Sequence, residues 1–417
     1  MTVLVVGGGG REHAIIWKLA QSPRVKKIVC APGNGGISQL AECVNIKADD
    51  VAGMVQFAKN RKVDLVFVAP DDPLALGMVD ALEAEGIRVF GPHKDAAQLE
   101  ASKVFAKALM QKYNIPTAQY QTFSDIDAAT AYLKTCPYPT VIKADGLALG
   151  KGVIIANDYD EAKTSIHRMM AEKVFGSAGN RVVIEEFLTG REMTVLAFTD
   201  GKTVCPMMCS QDHKRAFDGD LGLNTGGMGA FAPSPVYTAE IARYCETFIY
   251  QPTIDALQQE GILFKGVLYF GLMLTENGVK VIEYNARFGD PETQVVLPLL
   301  KTDLMDILDA VIDEKLDSID IEWENKYSAC IVAASGGYPE AYQKGYEISI
   351  SPLKNNSMIF HAGTMREGGK YLTSGGRVLG VTAIAESLKE AVALAYDDMN
   401  AIRFRDMHYR KDIGIKE

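Results

Sequence analysis

The first hundred residues constrain the fold most, because short β-branched runs alternate there with helical patterns in regular succession. The runs are VLVV (3–6), KIVCA (27–31), DLVFVA (64–69) and IRVF (87–90). Between them lie EHAIIWKLA (12–20), a helix near 50–61 and a helix near 73–85. Strands that alternate with helices fold as a parallel sheet covered on both faces, and ligands gather beyond the C-terminal ends of such strands. Three loops leave those ends: GGGGREH (7–13), APGNGG (31–36) and APDDPLALG (69–77).

The first loop opens a helix, so its N–H groups and the helix dipole suit a phosphate. It is a poor dinucleotide fingerprint. Counted from Gly7, the third glycine of GxGxxG is Glu12; counted from Gly8, it is His13. The second strand also ends in Cys30 and Ala31, with no acid for a ribose.

At 417 residues the chain has room for roughly three domains of the usual size, about 100 to 200 residues each. Its net charge of −10 argues against a nucleic-acid surface, so anions must be met locally. No run approaches the ~20 apolar residues that span a bilayer, and MTVLVVGGGG reads as a core strand rather than a secretion signal. Seven scattered cysteines form neither a disulfide framework nor a zinc site. A cytoplasmic enzyme without membrane or nucleic-acid partners is expected.

Further along, a helical pattern over 95–110 carries Lys103 and Lys107 on one face, which by themselves read as solvated lysines. PTVIKADGLALGKGVIIA (139–156) places Lys143 at a strand end, then Gly146, Gly150, Lys151 and Gly152, then a second strand. A Walker A loop would need GxxxxGK[ST] and a helix, and neither is present. The stretch is an ordinary hairpin or a glycine flap that folds over a triphosphate, with Lys143 and Lys151 supplying charge. In RVVIEEFLTGREMTV (181–195) a strand ends in Glu185, Glu186, Phe187 and Leu188, with Glu192 beyond. Backbone groups beside Phe187 and Leu188 can pair with an adenine edge, although acids at a strand end also serve as plain surface.

SQDHKRAFDGDLGLNTGGMGAFAP (210–233) reads as a long structureless loop of both charge signs, suited to enclosing a substrate. Its His213 is a candidate general base or metal ligand, but with no second histidine nearby, hydrogen bonding to substrate or to the loop itself is the favoured reading. In KVIEYNARFGDPE (280–292), Glu283, Asn285 and Arg287 alternate, so an extended strand points all three to one face. That face offers two hard oxygen ligands for Mg²⁺ with a cation beside them, or a salt-bridged strand surface. Residues 324–417 begin another unit whose glycine pairs serve turns, and no chemistry is assigned to it.

A glycine flap after a strand lysine, an EEFL segment and an ExN strand together resemble the ATP-grasp superfamily. Within it, GGGGREHA, GPHKDAAQLEASK, VIKADGLALGKGV, VIEEFLTGRE, QDHKRAFDGDLGLNTGGMGAFAP, FKGVLYFGLM, VIEYNARFGDPE, SGGYP and SGGRVLGV resemble the phosphoribosylamine–glycine ligase family, from residue 3 to about 400. The resemblance implies an α/β fold, α+β in its ATP-grasp part: a parallel α/β N-terminal domain (1–101), a central ATP-grasp domain (102–118 with 189–323), a lid with the flap (119–188) and a mixed β/α C-terminal domain (324–417). It implies ATP-dependent joining of glycine to 5-phosphoribosylamine through glycyl phosphate, with Mg²⁺ or Mn²⁺, in a monomer.

By the same resemblance, Lys103 and Lys143 bind phosphates and the segment 146–152 (Gly146, Gly150, Lys151, Gly152) is the flap. Glu185, Phe187 and Leu188 contact adenine, and Glu192 contacts its ribose. Glu283 and Asn285 hold the metal, and Arg287 meets the transferred phosphoryl group. Asp212, His213 and Lys214, with Asn224, Thr225, Gly226 and Gly227, enclose glycine and the amine. The N-terminal loops, through Gly8, Gly9, Gly10, Arg11, Gly33, Asn34, Pro70 and Asp71, take the phosphoribosyl substrate. Two departures stand out: Asp71 occupies a place where the family tends to have glutamate, and Leu272 occupies a place where many ATP-grasp enzymes carry a second metal carboxylate. The alternatives are a bicarbonate-dependent carboxylase of the same superfamily and a nucleotide sensor without turnover.

Overall fold

The computed structural model describes residues 1–147 and 152–415. Its first unit is a parallel sheet with Thr2–Gly7 at the centre, Lys27–Pro32 and Glu42–Cys43 on one side, and Leu65–Val68 and Val89–Phe90 on the other. Residues Val3, Leu4, Val5 and Val6 are fully buried, as a strand covered on both faces requires. The helix expected from 12–20 is Gly10–Leu19, and that near 50–61 is Val51–Arg61 with Asp50 as its cap. The single helix expected over 73–85 is two, Asp71–Leu76 and Met78–Glu83, because Gly77 takes a φ of +87° between them.

The helix expected over 95–110 is likewise two, Lys94–Ala101 and Lys103–Lys112. At the break Ser102 is extended, and its Oγ accepts the Phe105 N–H (3.1 Å) while donating to Asp145 Oδ1 (2.9 Å). That cap places Lys103 at the first turn of a helix, facing the lid.

The lid sheet is antiparallel, ordered Tyr120–Phe123, Val182–Glu186, Thr140–Ala144 and Val153–Ala156, and it has a core of its own around Ile142, Val182 and Ile184. The central sheet runs Val204–Pro206, Arg191–Asp200, Lys265–Thr275 and Gly278–Asn285. In its last pair Gly271 lies opposite Glu283 but Leu272 lies opposite Val281, so Ile282 is an extra residue in the ladder. This bulge decides which way Glu283 points. Val279 and Val281 face the core, and unbroken alternation would send Glu283 and Asn285 after them; past the bulge Tyr284 is buried instead, and Glu283 and Asn285 face the cleft. Leu272 points into the core, and the residue opposite Glu283 is Gly271.

The segment 210–233 is not structureless. Its ends, Gln211–Asp212 and Gly229–Ala232, join Tyr327–Ser335, Arg377–Ala385, Met358–His361 and Met407–His408 in one sheet, and Arg215–Phe217 pairs with Leu221–Asn224 inside it. Backbone hydrogen bonding therefore crosses the boundary expected at 323/324. A shared core in which Val5, Ile15 and Phe67 meet Leu196, Phe288, Leu308 and Cys330 ties the first unit to the central and C-terminal ones.

Candidate active site

A cleft of about 510 Å³ opens between the lid and the central sheet. At one end its walls are aliphatic, with Val141 and Ile155 from the lid facing Met110, Met273 and Ile282. Apolar walls of this kind have the chemistry to take a planar base.

Beside the slot, two lysines share one carboxylate. Glu185 Oε2 accepts from Lys143 Nζ (3.0 Å) and pairs with Lys107 Nζ (3.1 Å), and all three side chains are buried. Burial lowers the Lys107 ammonium to about 8, with Glu185 opposing. Lys107 is thus no surface lysine: it also donates to Thr117 Oγ1 (2.8 Å). Lys143 further donates to the carbonyl of the bulged Ile282 (3.2 Å), and Lys103 donates to the Gly146 carbonyl (3.0 Å). Each contact ties the lid to the body across the cleft.

Past the bulge, Glu283 sits in a field of cations. Burial pushes its carboxyl up, but Lys214, Lys143, Lys103 and Arg287 together hold it below its ordinary value. Glu283 Oε1 lies 3.9 Å from Lys214 Nζ, which also pairs with Glu192 Oε2 at 3.1 Å. The hydrogen-bond network orients the Asn285 amide so that Nδ2 donates to Glu100 Oε1 (2.9 Å) and to the Tyr284 carbonyl (3.2 Å). Arg287 Nη2 donates to the same Glu100 Oε1 (2.7 Å).

The far end is polar and charged. Asp212, brought there by its short strand, is pushed up to about 7 by burial, against the pull of Lys214 and with Glu292, Glu192 and Glu283 adding repulsion. Thr225 closes the turn above it, its N–H (2.7 Å) and Oγ1 (2.8 Å) both donating to the Lys214 carbonyl. Arg377, from the C-terminal unit, donates through Nη1 to the Gly226 carbonyl (2.8 Å) and the Asp290 carbonyl (2.7 Å), and Tyr338 accepts the Gly226 N–H (3.0 Å). The C-terminal unit thus does contribute to the cleft, through Arg377 and Tyr338.

Most residues singled out in the sequence converge here. Lys103, Lys143, Gly146, Gly152, Glu185, Phe187, Leu188 and Glu192 line the cleft, as do Asp212, Lys214, Glu283, Asn285 and Arg287. Arg11, Asp71, Asn224, Thr225 and Gly226 line it as well. Gly150 and Lys151 fall outside the described residues.

Other expected residues lie off the cleft. His213 follows the strand Gln211–Asp212 and does not line the cleft; it is half-buried with its ring against Phe231, and desolvation lowers it to about 4. In the glycine loop two N–H groups go to protein carboxylates: Glu12 accepts from Gly9 and Asp290 Oδ2 from Arg11 (3.2 Å). Gly8 and Gly33 pack backbone to backbone, where a Cβ on Gly8 would lie 2.5 Å from the Gly33 oxygen. Gly10 packs beside Gln294 and Asp290, Gly227 lies against Pro291, and Pro70 precedes the helix Asp71–Leu76. Asn34 spends its whole amide on the fold: Nδ2 donates to the Gly8 (3.0 Å) and His361 (2.8 Å) carbonyls, and Oδ1 accepts from Gly36 and Ile37 (both 2.9 Å). In the sequence, Glu100, Lys107, Glu292, Tyr338 and Arg377 were not identified as site residues. Four of them lie inside runs quoted for the resemblance, Glu100 in GPHKDAAQLEASK, Glu292 in VIEYNARFGDPE, Tyr338 in SGGYP and Arg377 in SGGRVLGV, but carried no assigned role there.

A glycine-hinged lid over a lysine-lined slot, facing a strand that ends in Glu283 and Asn285, defines an ATP-grasp enzyme. Residues 101–293 match the ATP-grasp (A) domain of phosphoribosylglycinamide synthetase, 1–100 match its N domain and 328–416 its C domain, and the chain belongs to that family. A phosphoribosylamine–glycine ligase from Caldanaerobacter subterraneus subsp. tengcongensis is 51% identical over 414 residues, covering 99% of each chain. One from Halalkalibacterium halodurans is 50% identical over 417 residues, covering all of this chain and 97% of its own. The crystal structure of the Thermotoga maritima phosphoribosylamine–glycine ligase superposes with a TM-score of 0.86 at 32% identity, covering 99% of this chain and 100% of that one. A biotin carboxylase from Campylobacter jejuni shares the fold, with a TM-score of 0.78 at 15% identity over 100% of this chain and 94% of its own.

Proposed function

We infer that the chain joins glycine to 5-phosphoribosylamine at the expense of ATP, giving glycinamide ribonucleotide, ADP and phosphate. The observation that carries this reading is that Glu283 feels Lys103 and Lys143 from the nucleotide end and Lys214 from the acceptor end of one cleft. A carboxylate acylates poorly, so the glycine carboxylate first takes the γ-phosphoryl group to become glycyl phosphate. Lys103 and Lys143 hold the phosphates, and the planar fork of Arg287 neutralises the group in transfer. The amine of phosphoribosylamine then attacks the acyl carbon and phosphate leaves. Asp212, poised near neutrality, takes the proton that the amine releases. The lid excludes water from an intermediate that hydrolyses readily.

Mg²⁺ ordinarily takes one or two protein oxygens and completes its shell with phosphate oxygens and water. The donor set fits that habit. Glu283 is held ionised, Asn285 adds an amide oxygen, and among the described residues no cluster of three His, Cys, Asp or Glu forms a closed cage. When bound there, Mg²⁺ or Mn²⁺ supplies charge neutralisation on the triphosphate. The divisions 1–101, 102–118 with 189–323, 119–188 and 324–417 remain our proposed domains, with 211–212 and 229–232 lent to the C-terminal sheet. The seven free thiols suit a reducing compartment, so we place a monomeric enzyme in the cytoplasm, acting on small molecules rather than nucleic acid.

The deciding assay is ADP formation with glycine and freshly generated phosphoribosylamine, each omitted in turn. ADP should appear only with both. ADP that requires bicarbonate and ignores glycine would assign a carboxylase, and nucleotide binding without ADP under any pair would assign a sensor.

A further inference from the structure

We propose that Glu100 is a positioning residue for the reaction, one that sets the orientation of the Asn285 amide and of the Arg287 fork and so builds the divalent-cation site. The inference rests on the assignment of Glu283 and Asn285 as metal ligands made above.

Glu100 belongs to the helix Lys94–Ala101, whereas residues 285–287 end and follow the strand Gly278–Asn285. Three consecutive residues of that strand end converge on the one carboxylate. Glu100 Oε2 accepts the Ala286 N–H at 2.7 Å, and Oε1 accepts Arg287 Nη2 at 2.7 Å and Asn285 Nδ2 at 2.9 Å. The side chain is buried, 8% exposed. A counter-charge for Arg287 would need only the second contact; the other two hold the backbone and the amide of the ligand itself.

The amide contact matters because an asparagine side chain is nearly symmetric in shape but not in chemistry. Turning it by half a revolution exchanges an oxygen that can ligate a hard cation for an N–H₂ that cannot. Only the neighbours choose between the two. Both oxygens of Glu100 already accept, from Ala286 and from Arg287, so Glu100 draws Nδ2 toward itself; the Tyr284 carbonyl, a pure acceptor, takes the second N–H. Both hydrogens of the amide are then committed, and Oδ1 is turned away from Glu100 on a residue that lines the cleft. The Ala286 N–H, Arg287 Nη2 and Asn285 Nδ2 all donate to Glu100, so both of its oxygens serve as acceptors. Groups that orient metal ligands in this way typically govern metal affinity by about ten- to a hundredfold.

The test is Glu100→Gln, which keeps the shape but adds a donor where only acceptors serve. The full-length variant is titrated with Mn²⁺ in the presence of ADP, with bound and free ion distinguished by electron paramagnetic resonance, and the Mg²⁺ dependence of ADP formation and the melting temperature are recorded alongside. Glu100→Gln should weaken Mn²⁺ binding about tenfold or more and raise the half-saturating Mg²⁺ in parallel, with high Mg²⁺ restoring much of the rate. Glu100→Asp, which keeps the acceptor chemistry one methylene shorter, should fall between the parent and Glu100→Gln. Glu283→Gln should lose Mn²⁺ binding; if it binds like the parent, the metal assignment itself fails. If Glu283→Gln loses the ion while Glu100→Gln binds it with parental affinity, Glu100 does not position the site. Should Glu100→Gln not fold, Glu100→Asp decides: parental Mn²⁺ affinity would leave Glu100 a counter-charge only.

Discussion

A single residue settles direction in this cleft. Without Ile282 as an extra member of the ladder, Glu283 would point where Val279 and Val281 point, into the core. With its orientation secured, Glu283→Gln should cut turnover by ~10² or more, the scale of one important transition-state contact; near-normal turnover at saturating Mg²⁺ would remove it from the catalytic centre. Arg287→Lys should be comparably severe in kcat, because an ammonium cannot reproduce a planar fork that already spends Nη2 on Glu100. Steady-state kinetics unchanged from the parent would make Arg287 structural. Both residues were legible from the alternation in KVIEYNARFGDPE. Lys107 was not, because its four-residue spacing from Lys103 fits a solvated helix face equally well, and only the shared Glu185 shows it to be buried.

Among the elements, the contact between the first helix and the strand Met358–His361 carries a pH dependence. The His361 N–H donates to His13 Nδ1 (2.8 Å), and His361 Nδ1 meets Thr364 Oγ1 (3.1 Å). Burial, followed by the neighbouring His361, lowers His13 to about 3, and burial lowers His361 to about 4. The unfolded chain binds protons at these histidines below pH ~6.5, whereas the folded chain does so only near 4 at His361 and near 3 at His13, so stability from this contact falls as pH drops from ~6.5 toward 3. At pH 5 the loss is about 2 kcal/mol for each histidine. His13→Asn keeps an acceptor for the His361 N–H and cannot be protonated. Its melting temperature should therefore decline less between pH 7.5 and pH 5 than the parent's, and parallel declines would show that the pair does not titrate on unfolding.

At the scale of the molecule, the strands Gln211–Asp212 and Gly229–Ala232 make the C-terminal unit part of the site. They bond to Tyr327–Ser335, and Arg377 and Tyr338 hold the turn at 226–227 from the same side. A chain ending at 323 should consequently lose ADP formation with both substrates, and proteases should cut it within 210–233 while sparing that segment in the full chain. Activity and protection retained in the truncated chain would free the site from this sheet.

Local sequence determined much of this protein by itself. β-branched runs spaced by helical patterns define the N-terminal sheet, the glycine-rich hairpin places the lid, and Glu283, Asn285 and Arg287 share a side because a strand repeats every two residues. These are properties of neighbours in the chain, and periodicity reports them. Only the tertiary structure decided that Glu12 and Asp290 take two N–H groups of the glycine loop, which face Glu283 took past the bulge, and that the segment 210–233 borrows its order from strands a hundred residues later. Each of those outcomes depends on partners remote in sequence and on burial, which set hydrogen-bond saturation and charge together and leave no periodic trace in the chain.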